Sequence, residues 1–269
     1  MRTRMYYHSL ISNPKIAGAL LIGIMLAALL AVFLLSSKIP QWSSYHQFAD
    51  TRSFLGMPNF LNVVSNLSFL LVSIWGFIRL RSQWMNNQLS AKETIVFLVY
   101  FIAVLLTCIG SSYYHWSPDN ARLVWDRLPI TVIFMSLLSL TIMERVNFNL
   151  GFRLLIPLIL FGIFSVLYWY WTELMHQGDL RLYGLVQFYS ILMIVFILFF
   201  FPRSYPPLSA YLGMLAFYAL AKIFESADHE VYQFSGSLIS GHTFKHLFAA
   251  VSTYYMVVIL NAHPVNHHD

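Results

Sequence analysis

Charge is scarce in this sequence: Asp, Glu, Lys and Arg make up 10% of its 269 residues, against about 25% in an ordinary soluble domain. So few charges cannot cover a water-facing surface, which excludes a soluble globular domain. Cysteine is scarcer still. Cys108 is the single one, so no intrachain disulfide can form and cysteine usage does not reveal the compartment. It stands within an apolar run and is read as packing. The net charge of +5 comes without a contiguous basic stripe, because Lys and Arg stand one or two at a time between apolar segments. Nucleic acid is therefore excluded as a partner. Internal repeats and low-complexity tracts are also missing.

What is present is hydrophobic sequence, 58% of the chain, in long runs such as residues 16–35 and 182–201. Each is near the roughly 20 residues that a spanning helix needs. The first run has no small-residue cleavage site of the A-x-A kind close behind it, so it is read as an uncleaved helix rather than a signal peptide. Seven further spans are expected at about residues 60–80, 94–115, 122–144, 152–172, 181–201, 208–225 and 241–261. Short polar turns separate them, among them Ser117-Pro118-Asp119-Asn120 and Phe234-Ser235-Gly236-Ser237. The expected fold is an all-α integral membrane protein: a seven-transmembrane-helix bundle preceded by one extra N-terminal transmembrane helix. Residues 1–40 form the tail and extra helix, 41–261 the membrane domain and 262–269 a polar tail.

With eight alternating spans, nine Lys and Arg fall on the side of the N-terminus and seven on the other. The positive-inside rule then places both termini in the cytoplasm. The membrane is the cell membrane of a bacterium, or the endoplasmic reticulum or Golgi of a eukaryote.

Ionisable side chains at membrane depth are costly unless paired or functional, and three clusters stand out. Ser111-Ser112-Tyr113-Tyr114-His115 ends the second bundle span, with Ser111 and His115 four residues apart and so on one helical face. Asp126-Arg127-Leu128-Pro129 lies just inside the next span. Gly241-His242-Thr243-Phe244-Lys245-His246 opens the last, with two histidines again at i and i+4, a spacing that can clamp one metal ion from a single face. Span counting puts all three clusters on the same side of the membrane. A lone HxxxH is more often a packed pair. A third histidine, a buried Asp and a Ser on neighbouring helix ends shift the reading to a metal site, because three imidazoles with an open fourth position are a catalytic zinc arrangement.

The pattern Ser111-x3-His115, then Asp126, then His242-x3-His246 resembles the CREST superfamily of seven-helix membrane hydrolases, and most closely its alkaline ceramidases and phytoceramidases. The similarity extends to Phe60-Leu61-Asn62-Val63-Val64-Ser65-Asn66-Leu67 and covers about residues 41–260. The resemblance implies a zinc-dependent hydrolase that cleaves the amide bond of a ceramide-like membrane lipid to a fatty acid and a sphingoid base. It implies zinc (Zn2+) on His115, His242 and His246, proton exchange by Asp126, and an oxyanion steadied by Ser111. Animal members resemble one another in an acidic calcium site before the first bundle helix. Here that stretch reads Gln41-Trp42-Ser43-Ser44-Tyr45-His46, then Asn59, so calcium is doubtful. Other members of the superfamily resemble ester or phospholipid hydrolases, or receptors with a structural zinc. Ser111 and Asp126 favour catalysis, since a structural site closes its fourth position with a protein ligand.

Other polar residues carry weaker expectations. Glu225, Asp228, His229 and Glu230 read as a solvated acidic turn, with Glu225 as the candidate for substrate amine recognition or a second cation. Asn62, Ser65 and Asn66 read as interhelical hydrogen-bonding residues. Trp169, Tyr170 and Trp171 read as an interfacial aromatic belt, and His263, His267 and His268 as a solvated tail. No protein partner is indicated.

Overall fold

A computed structural model describes residues 14–201 and 206–263. The N-terminal tail before Pro14, the 202–205 part of one connection, and His267 and His268 lie outside the described residues. The described residues form helices throughout, with no strand: α1 (Pro14–Leu35), α2 (Phe60–Val64), α3 (Leu67–Met85), α4 (Ala91–Trp116), α5 (Asn120–Arg145), α6 (Phe148–Leu174), α7 (Arg181–Phe200), α8 (Leu208–Ser226), α9 (Asp228–Phe234) and α10 (Gly241–Asn261). A 3-10 turn spans Ser43–His46.

Among the described residues seven stretches are long and apolar enough to cross a membrane: α2 with α3 as Phe60–Met85, then α4, α5, α6, α7, α8 and α10. This is the composition of a multi-pass membrane protein. Each coincides with an expected span, and several run two to five residues further at an end, since hydropathy marks the apolar middle of a helix and misses its polar turns. Local capping sets some of those ends. Ser90 and Glu93 close a reciprocal capping box at the start of α4, and Ser240 Oγ accepts from Thr243 N at the start of α10, each satisfying an orphan helix donor.

The chain divides into two compact units: the described residues of Met1–Pro40 with Phe134–Arg203, and of Gln41–Ile133 with Ser204–Asp269. In the second unit α10 packs chiefly on α8 and α3, and α3 on α4. Its first span is not one continuous α-helix. The Asn66 side chain donates to the carbonyls of Asn62 (2.8 Å) and Val63 (3.3 Å), competing with the backbone as Asn does in a helix interior. The backbone there tightens to i→i+3 bonds, Asn66 N to Val63 O and Phe69 N to Asn66 O, separating α2 from α3.

In the first unit α7 packs on α6 and α1, and the turn into α7 is tied by one buried ion pair. Arg181 grips both Asp179 oxygens, Nε to Oδ1 at 2.9 Å and Nη2 to Oδ2 at 2.7 Å. Tyr168 also donates to Oδ2, and Arg181 Nη1 donates to Ser36 O at 2.8 Å. Burial raises the Asp179 carboxyl, but the hydrogen bonds from Arg181 and Tyr168 outweigh it and hold the group below the usual carboxylate range.

Two expectations fail here. Trp169 is not part of an interfacial belt: it is fully buried and its Nε1 donates to Glu173, whereas Trp171 is 56% exposed. His263 is not solvated. It is buried, with its ring edge against Phe97 and Nδ1 3.8 Å from Glu93, because α10 carries it back onto α4.

Candidate metal centre

The three histidines come together as one cluster within the second unit. His115, His242 and His246 offer ligand atoms that all lie within 4.8 Å of one another, and all three are buried. Among the described residues this is the one group of His, Cys, Asp or Glu so arranged, and it could hold a metal ion.

Each ring is placed by local features of the sequence. His115 is delivered by α4, which approaches α5 closely because Gly110 has no side chain: a Cβ there would stand 2.0 Å from Trp125 O. That carbonyl is available because Pro129, four residues on, has no N–H to donate to it. The carbonyl of His115 accepts from Asn59 Nδ2 at 2.8 Å. His242 and His246 sit one turn apart at the start of α10. Gly241 lets that turn press against Phe224 O, where a Cβ would be 2.3 Å away. Asp228 fixes the same turn, its Oδ1 accepting from His242 N (2.7 Å) and its Oδ2 from Ala49 N (2.9 Å). Asp228 is thus a buried clamp and not part of a solvated turn, while His229 and Glu230 are exposed as expected.

The nitrogens face inward. Nε2 of His242 and Nε2 of His115 are 3.2 Å apart. Nδ1 of His246 is 2.7 Å from Ser65 Oγ, and the Ser65 hydroxyl has Asn62 O as its acceptor at 3.2 Å. That network assigns the His246 proton to Nδ1, donating to Ser65, and leaves Nε2 with a bare lone pair. His246 Nε2 and Asp126 Oδ1 are buried without a hydrogen-bond partner, unmatched polar atoms that native interiors rarely tolerate unless a ligand completes them; His115 Nδ1 is buried and unmatched as well, on the side of its ring away from the Nε2 that faces His242. Phe48 covers the cluster, its ring centroid 4.6 Å from those of His115 and His242.

Asp126 and Ser111 are both buried, and Ser111 is a neighbour of the Asp126 carboxylate. Glu225 is held by two lysines: its Oε2 pairs with Lys222, and its Oε1 lies 3.3 Å from Lys245 Nζ. It also accepts from the Tyr45 hydroxyl at 3.4 Å. Burial and then the Glu225 charge push the Tyr45 phenol up, keeping it a donor. In the stretch from Gln41 to His46, Gln41 accepts from Arg127 Nη2 (2.6 Å), and His46 joins Tyr114 (2.9 Å) to Asn120 (3.0 Å).

Sequence reasoning missed Ser65 as the partner of His246 and Lys245 as a neighbour of the cluster. Lys245 was signalled by its place between the two histidines on one helix. Nothing local could signal Ser65, because its partner is 181 residues away. A scan against family models, a search of curated proteins and a search of solved structures each return no match.

Proposed function

We propose that the chain is a zinc-dependent intramembrane hydrolase of acyl amides in ceramide-like lipids, as its resemblance to the alkaline ceramidases implies. The observation that carries the reading is the inward-facing imidazole cluster, with the unsatisfied carboxylate of Asp126 within electrostatic reach of Lys245, a neighbour of His242. Zinc bound by nitrogens at about 2.0–2.1 Å in a tetrahedron separates neighbouring ligands by about 3.3 Å, and the His115 and His242 Nε2 atoms are 3.2 Å apart. The donor set fits: three buried imidazoles from this chain, one oriented by Ser65 as outer partners commonly orient metal-bound histidines.

Bound there, zinc supplies a lowered water pKa and polarisation of the scissile carbonyl. The remaining work falls to side chains. Asp126, with Oδ1 unpaired, takes the proton of the attacking water and returns one to the leaving amine. Ser111, one turn before His115, donates to the carbonyl oxygen as negative charge builds on it. Phe48 keeps bulk water from the rings. In this reading α1 is an eighth span, both termini are cytoplasmic and the cluster opens towards the other face.

The test is turnover of matched N-acyl and O-acyl lipids by purified protein, with metal content measured on the same preparation. Release of fatty acid from the amides, abolished by a chelator and restored by zinc, is expected. Release from esters alone would move the assignment to an esterase or phospholipase, and no turnover of either by zinc-loaded protein would end the hydrolase reading.

A further inference from the structure

The loop ahead of the first bundle span is apolar at its tip, where loops are ordinarily polar. Phe54 and Met57 exchange both backbone hydrogen bonds, at 3.1 and 3.0 Å, closing a two-residue turn on Leu55 and Gly56. Both central residues have positive φ, 50° and 76°. Such a turn favours Asn, Asp or Gly at its first position, yet the residue there is a leucine, and it is 88% exposed. Water does nothing to offset a leucine held left-handed at a turn tip, whereas an apolar surrounding stabilises it.

A second apolar tip stands beside the first. Arg52 Nη2 donates to Leu238 O at 2.8 Å, and its guanidinium lies over the Tyr232 ring, tying the turn before α10 to the hairpin loop. Leu238 is 71% exposed. Phe54 packs edge-on against Phe60, ring centroids 5.0 Å apart. These segments enclose a cavity of about 330 Å³ lined by Phe54, Phe60, Leu61 and Leu238, with Asp50 and Arg52 as its polar wall. That wall is internally paired: Arg52 Nε and Nη2 donate to the two Asp50 oxygens at 2.8 and 2.7 Å.

Two features identify what fills the cavity. It is too small for a partner helix, which is about 10 Å across with its side chains, and suits a narrow alkyl chain. Phe60 and Leu61 also open the span Phe60–Met85, whose exposed face is apolar at Leu67, Leu71, Trp75 and Ile78 and so meets lipid. The cavity is thus continuous with a bilayer-facing surface. It also adjoins the histidine cluster along one stretch of chain: Phe48 covers the His115 and His242 rings, Ala49 N is held by Asp228, and Asp50 lines the cavity.

We propose that the Phe54–Met57 hairpin and the Leu238 turn insert into the bilayer interface, and that the cavity between them holds one alkyl chain of a membrane lipid beside the histidine cluster. The proposal stands apart from the hydrolase reading, since neither measurement below involves turnover.

Both measurements use full-length protein in phosphatidylcholine nanodiscs. For insertion, a nitroxide is placed on Leu55→Cys in a Cys108→Ala background, with a second at Glu230→Cys, an exposed polar position, as the aqueous reference. The Leu55 label should collide with dissolved oxygen several-fold more often, and with a water-soluble nickel chelate several-fold less often, than the Glu230 label. Equal nickel accessibility at the two positions overturns the proposal. Protection of the Leu55 label from both reagents also overturns it, because that is the signature of a covering protein such as a second copy of this chain.

For the cavity, the probe is phosphatidylcholine carrying a photoreactive diazirine in its acyl chain. It should label Asp50, which is 1% exposed and so is reached from within the cavity. Leu61→Trp, which fills the cavity, should abolish labelling of Asp50 while Leu71 and Trp75 are still labelled by the surrounding bilayer. If that variant fails to fold, Leu238→Trp fills the cavity from the other turn. Absence of label at Asp50 in the wild type, or wild-type labelling of Asp50 in a folded, filled variant, overturns the proposal.

Discussion

Two buried polar clusters in this chain look alike in composition and differ in completeness. Around Asp179 and Arg181, both carboxylate oxygens are occupied, and the guanidinium reaches Asp179 and Ser36 O. Around His115, His246 and Asp126, three buried atoms have no partner, although neighbouring groups such as Asn62, Ser240 and Thr243 are linked to one another. A cluster that satisfies itself is structural, since burying polar groups is tolerated once their bonds are made. One that leaves buried atoms unmatched around converging imidazoles is arranged for something that arrives from outside.

The largest effect that could break this comparison is on turnover. Asp126→Asn keeps size and removes the proton acceptor, so activity should fall about 10²- to 10⁴-fold while metal content stays at the wild-type level. Activity unchanged from wild type would place Asp126 among the structural residues.

The structural cluster should respond in stability and not in metal content. Asp179→Ala strands a buried guanidinium, a loss of about 3–5 kcal/mol, read as a lower thermal midpoint with metal stoichiometry intact. The pair also has a pH signature. Because the folded-state carboxyl is held below its ordinary value, its contribution is complete above the ordinary carboxylate range and is lost as pH falls through the folded value. Acid-induced loss of stability should therefore be shallower in Asp179→Asn. An unaltered profile would mean that Asp179 is not what titrates.

A smaller effect is expected at the one outer contact of the histidine cluster that is fully defined. Ser65→Ala should weaken metal affinity about 10- to 100-fold, measured by chelator competition, with Ser65→Thr recovering part of it. Equal affinity in all three proteins would reduce Ser65 to a helix-packing residue.

Much of this was legible in the sequence. The seven spans follow from apolar runs, and the histidine spacing on α10 already puts two rings on one face. Span counting put the C-terminal end of α4 on the same side of the membrane as the N-terminal end of α10, and the imidazoles meet at those two ends. What could not be read was which polar side chains pair across long sequence distances. Glu225 read as part of a solvated turn because periodicity does not reveal that Lys245, on another helix, folds against it. Trp169 read as a belt residue because an aromatic triplet near a helix end looks the same whether its first ring points to lipid or to Glu173. Ser65 read as a generic hydrogen-bonding residue because the tightened turn at Asn66, which goes with its meeting His246, is a backbone event.

The central claim is that His115, His242 and His246 share one metal ion, and metal analysis of purified protein tests it most directly. The account predicts one zinc per chain in the wild type and a sharp loss of zinc in each of His115→Ala, His242→Ala and His246→Ala, measured on folded protein. Wild-type stoichiometry in all three variants would contradict it.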